Sequence, residues 1–153
     1  MSRFPLPDVE WERTQPYFEG AVVGELRLPR CANCAGYNWF PPERCYYCDS
    51  DDLNWEACSG QGSLFSYTVV NRAFVKPFKT VTPYVTALIS LAVEPRVRLV
   101  SYIVDCPPSL LEMDMPLDVV FRPLPFFDEG ALFAGEAPIV VPMFRPLTAG
   151  SAS

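Results

Sequence analysis

The chain has 153 residues, half of them hydrophobic, with 17 prolines, six cysteines, no histidine and a formal net charge of −6. That length suits one ordinary domain, or one small module plus a stapled one. No apolar run approaches the ~20 residues that span a bilayer, and the acidic balance sets the chain against a phosphate backbone. Without imidazole, the usual neutral-pH acid/base group and any Ser-His or Cys-His pair are missing.

Met1 to Trp11 carries charges and prolines but no apolar core of a leader, so a reducing, cytoplasmic setting is expected. From Arg13 to Leu28 the pattern reads as a helical entry, capped by Thr14, with Pro16 in the first turn and Glu19 near the positive end of the dipole. Tyr17, Phe18, Val22 and Leu26 fall on one stripe, but Gly20 and Gly24 interrupt it. The expectation is a bent helix or two short ones.

Next come Cys31-Ala-Asn-Cys34 and Cys45-Tyr-Tyr-Cys48, two Cys-x-x-Cys pairs separated by ten residues. Each pair can form a knuckle that turns two thiolates toward one point, and two knuckles supply the soft ligands of a closed tetrahedral zinc site. Gly36, Pro41 and Pro42 suit the bent excursion between them. Two disulfides, or a single redox-active Cys-x-x-Cys, are the competing readings, and the reducing setting disfavours them. Trp39, Phe40, Tyr46 and Tyr47 are expected to shield the metal. Asp49 to Asp52 is expected to form a solvated turn. Four thiolates leave no coordination position open, so the site is structural.

From Gly60 the pattern changes to period two. Strands are expected over Leu64 to Asn71, Tyr84 to Val93, Val97 to Val104, Leu117 to Leu124 and Ile139 to Phe144, with a turn at Glu94-Pro95-Arg96. Pro107 to Met113 has room for one helical turn. Five strands with that short element between the third and fourth match an OB-type Greek-key barrel, with a small β-sandwich as the alternative. The fold class is therefore mainly β: a bent N-terminal helix (1–29), a rubredoxin-like four-cysteine zinc ribbon (30–58), a five-stranded barrel (59–147) and a short tail (148–153).

This order resembles the acyl-CoA-associated zinc-ribbon/OB-fold family, long classed as a domain of unknown function. The matching stretches are Tyr17-Phe18-Glu19-Gly20, Gly24-Glu25-Leu26, the two cysteine pairs with Pro41-Pro42, and Ser59-Gly60-x-Gly62 running on to Val70. Further on come Pro83-Tyr84-Val85, Met115-Pro116-Leu117 and Phe144-Arg145-Pro146. Pro95 and Asp114 depart from it, standing where the family has turn glycines. The resemblance implies an accessory subunit of a heteromeric complex, not catalytic alone. It would dock on a thiolase-like acyltransferase or aldolase and help form the acyl-CoA channel, with structural Zn2+ and a shared CoA thioester as ligands. No nucleic acid or membrane partner is expected.

Ala57 to Val93 holds no Asp or Glu but contains Arg72, Lys76 and Lys79, a local charge of +3 in an acidic chain. This loop is open to three readings: a solvated loop, a contact to an acidic partner face, or a clamp for the phosphates of CoA with Phe74 or Phe78 beside the adenine. Phe126-Phe127 and Leu132-Phe133 read as a barrel lid or a subunit interface. Cys58 and Cys106 read as small buried residues. The alternative function is a single-strand nucleic-acid binder, which the fold permits and the charge opposes.

Overall fold

The computed structural model describes residues 6–125 and 137–148. Its elements are α1 (Gln15–Val22), β1 (Leu26–Cys31), β2 (Leu53–Cys58), β3 (Gly62–Val70), a 3-10 turn (Lys76–Phe78), β4 (Tyr84–Leu91), β5 (Glu94–Ile103), a second 3-10 turn (Pro108–Leu110), β6 (Pro116–Pro123) and β7 (Val140–Pro146).

The entry is a single helix of eight residues, where a bent helix or a pair was expected. Thr14 is its N-cap residue but makes no side-chain capping bond. Leu26 and Leu28 are buried in β1, not in a helix, because Gly24 takes a left-handed φ of 78° and turns the chain into a strand. Val22, placed on the apolar stripe by its spacing, is 71% exposed, while Gly20 and Ala21 are buried. The 3.6-residue period is broken before it can place Leu26.

β1 and β2 form an antiparallel pair, Leu26 opposite Cys58 and Cys31 opposite Leu53, that closes the base of the cysteine ribbon. The remaining strands close a barrel in the order β3-β4-β5-β7-β6. Alternation along β4 buries Val85, Ala87, Ile89 and Leu91 and joins them to Leu64, Leu99, Leu117 and Phe144 in one core. Each fully buried Val, Leu, Ile or Phe among them contributes about 1.5–3 kcal/mol. The β4–β5 turn lies at Ala92-Val93, two residues before the expected Glu94-Pro95-Arg96, and Glu94 pairs with Leu91. Val93 is therefore in the turn, outside the buried alternation.

Two glycines admit the first barrel strand. A Cβ on Gly60 would overlap the Val119 side chain, and one on Gly62 would sit 2.5 Å from the Ser90 carbonyl oxygen. Asp114 holds a left-handed φ of 63°, the conformation a turn glycine would take, and aspartate tolerates it. β5 and β7 run parallel and share a single residue pair, Ile103 with Phe144, flanked by the Val104 N–H to Phe144 carbonyl and Ser101 hydroxyl to Pro142 carbonyl bonds that close the barrel. The lid or interface reading of Phe126-Phe127 and Leu132-Phe133 lies outside the described residues. Among the described residues no helix is long and apolar enough to cross a membrane.

Candidate functional site

The two knuckles are built alike. The Ala35 N–H reaches the Cys31 carbonyl (2.8 Å) and the Asp49 N–H the Cys45 carbonyl (3.0 Å). The Cys31 N–H in turn reaches Gly36, and the Cys45 N–H reaches Ser50. Ala35 and Asp49 each turn left-handed at φ 62°. Two equivalent loops thus aim four thiols at one point. All four Sγ atoms lie within 4.8 Å of one another, with Cys31–Cys48 at 3.5 Å and Cys34–Cys45 at 3.6 Å. A tetrahedral ion with Zn–S near 2.3 Å needs S···S of about 3.8 Å. The donor set fits zinc.

Electrostatics point the same way. Burial pushes the Cys45 thiol up, but the Tyr47 and Cys48 N–H groups and the Asn38 amide outweigh it, leaving the group down at about 6. The Gly36 N–H favours a Cys34 thiolate, yet desolvation and three neighbouring thiols hold Cys34 up at about 11. The Asn33 amide lowers Cys48. Thiols this crowded cannot all ionise unless a divalent cation shares their charge.

Asn38 is the residue that spacing alone does not reveal. Fully buried, it donates to the Gly36 carbonyl and the Cys45 sulfur, and its Oδ1 accepts the Tyr46 N–H at 2.9 Å, tying the knuckles together. The aromatics do less shielding than expected. Trp39 stacks on Tyr17 at 4.6 Å, Phe40 lies near Trp11, and Tyr46 is 60% exposed. Tyr47 instead bridges to the barrel: its hydroxyl donates to the Tyr37 carbonyl and Arg96 covers its ring.

The basic loop is divided by the fold. Arg72 and Lys79 meet across a polar cleft of about 420 Å³ with Asn71, Phe74 and Thr82. Lys76 is exposed in the 3-10 turn and does not line that cleft, and Phe78 turns away to pack on Tyr84 at 5.7 Å. Tyr84 continues to Tyr102, again 5.7 Å away. These rings lead to a second cleft of about 380 Å³ where β5 ends, lined by Tyr84, Tyr102, Cys106, Arg122 and Met143. Arg122 forks onto the Asp105 carboxylate, which lowers that carboxyl below its usual range. Burial raises the Cys58 thiol to about 11 and also raises Cys106, so both are poor nucleophiles. The run through Tyr84, Tyr102 and Arg122 carries no sequence signature, because its members come from three separate strands.

Two family descriptions match consecutive stretches of the chain: the rubredoxin-like zinc ribbon domain of ChsH2 over residues 18–54, and the C-terminal OB-fold domain of ChsH2 over residues 55–122. The chain is 36% identical over 96 residues to a DUF35 domain-containing scaffold protein of Methanothermobacter thermautotrophicus, covering 61% of this chain and 68% of that one. It is 28% identical over 130 residues to a probable enoyl-CoA hydratase alpha subunit of Thermomonospora curvata, covering 85% of this chain and 36% of the other. The chain thus spans about a third of the length of that hydratase subunit. Among solved structures it is similar to a chain of the Ltp2-ChsH2(DUF35) aldolase, with a TM-score of 0.72 and 27% identity over 92% of this chain and 98% of that one.

Proposed function

The chain belongs to the DUF35 family of ChsH2-type zinc-ribbon/OB-fold proteins, and we propose that it is a non-catalytic accessory subunit of an enzyme acting on CoA thioesters. In this reading it docks on a thiolase-like acyltransferase or aldolase and forms one wall of the acyl-CoA channel. The observation that supports the reading is the likeness, over nearly its whole length, to a chain of the Ltp2-ChsH2(DUF35) aldolase. The chemistry of the chain agrees: the candidate metal cluster among the described residues is four thiols, a closed set of ligands, and the chain has no histidine.

Arg72 and Lys79 grip the phosphates of CoA in the polar cleft, and Lys76 adds long-range attraction from outside it. Phe78, Tyr84 and Tyr102 guide the arm toward the second cleft, where β5 ends. Purified alone, the chain turns over no acyl-CoA, whereas with a thiolase-like chain it raises activity or stability. Turnover by the isolated chain, abolished by changing one of its own carboxylates or tyrosines, overturns this reading.

A further inference from the structure

Helix α1 lies between two apolar clefts that share Phe18 as a wall. One, of about 230 Å³, is floored by Trp11, Trp39 and Phe40. The other, of about 200 Å³, is lined by Val22 and Ile139. Trp11 and Phe40 are each 46% exposed, large rings left open to water. The floor is held in place. Arg13 donates to the Pro41 carbonyl at 2.7 Å, with its guanidinium 5.9 Å from both the Trp11 and Phe40 rings.

The rim is acidic. Asp8, Glu19, Glu12 and Glu43 line these clefts and the one adjoining Trp11. Glu12, Glu19 and Glu43 enter no ion pair among the described residues. Among the described residues Arg13 is the only cation lining the three clefts, and its guanidinium lies over the Trp11 and Phe40 rings.

We propose that this groove is the docking site for a segment of the partner subunit that carries two apolar anchors flanked by Lys or Arg. Charge selects the occupant. A two-fold contact between copies would set four carboxylates against their own mates, and anionic lipid or nucleic acid is repelled. A cationic amphipathic segment fills both clefts and neutralises the rim. Only the word "subunit" rests on the accessory function; the groove and its charge do not.

The test uses the full chain and two designed helical peptides with the same Leu and Phe anchors, one flanked by lysines and its twin by glutamates. Emission from the tryptophans, two of which floor the groove, and calorimetry report binding. The lysine peptide binds, the twin does not, and affinity falls about tenfold or more from about 50 mM to about 500 mM salt. Glu12→Lys with Glu19→Lys weakens it to a similar degree, and Val22→Asp, at an exposed position, does so without unfolding the chain. Equal binding of both peptides, or of neither, overturns the proposal. So does self-association in sedimentation that Phe74→Ser abolishes, because the 90% exposed Phe74 among Arg72, Lys76 and Lys79 of a second copy has the same chemistry. No CoA enters these assays, so failure of the CoA path leaves their outcome unchanged.

Discussion

The Arg96 guanidinium lies 3.5 Å from the centroid of the Tyr47 ring, so the β4–β5 hairpin of the barrel grips the second cysteine knuckle. The same guanidinium forks onto Glu94 at 2.6 and 2.8 Å, and the Tyr37 N–H favours the charged form of that buried carboxylate. Metal site and barrel are thereby one mechanical unit. Arg96→Lys, which keeps the charge but loses the planar fork, is expected to lower Tm almost as much as Arg96→Ala. Thermal melts of the two variants check this.

Acid stability follows from the same pair. Arg96 holds the Glu94 carboxyl below its usual range, and Arg122 does so for Asp105. A carboxyl depressed in the fold contributes stability above its unfolded pKa, about 4, that is lost as pH falls through the folded value. Stability should therefore decline below about pH 4, and Arg96→Ala should flatten that slope. Urea midpoints measured between about pH 2.5 and 6 read the effect.

Zinc is expected at one ion per chain, bound by Cys31, Cys34, Cys45 and Cys48 at Zn–S near 2.3 Å. Cys34→Ser should release it and increase hydrogen exchange through the ribbon, since so small a module has little core of its own. Because Tyr47 sits beside Cys45, exchange should also rise at Glu94 and Arg96. Elemental analysis without metal, or an intact disulfide within either pair, contradicts this prediction.

Within the basic loop the fold separates two lysines that sequence treats alike. Lys79→Glu should weaken CoA-thioester use by the assembled complex more than Lys76→Glu, because Lys79 lines the cleft. Zinc content should stay unchanged in both, exposed loop charges contributing little to stability. Equal effects on assembly with none on CoA affinity would reassign the loop to a protein contact.

Gly60→Ala should destabilise the barrel by about 1–3 kcal/mol through overlap with Val119. Val119→Ala should recover part of that loss in the double variant. Phe144→Ala, at the fully buried centre, should cost about 3–5 kcal/mol. Denaturant melts of the four proteins check both.

Much of this architecture was legible in residue order. The cysteine spacing is local chemistry: four residues per knuckle suffice to turn two thiols together, and no distant contact is needed. Strand alternation likewise identified Val85, Ala87, Ile89 and Leu91 as core, because burial on one face of a strand has a period of two. The helix end and the β4–β5 turn were misplaced, since Gly24 and the Leu91–Glu94 pairing are decided by backbone dihedrals and register.

Tertiary structure alone decided the rest. Asn38 joins the knuckles within the ribbon, through partners two to eight residues away that spacing does not reveal. Tyr47 reaches Arg96, and Tyr84, Tyr102 and Arg122 meet, only once five strands close. The physical reason is that a closed barrel brings together side chains dozens of residues apart, and nothing in either local sequence encodes that distance. Metal chemistry is written in a few neighbouring residues; clefts are written in the path of the whole chain.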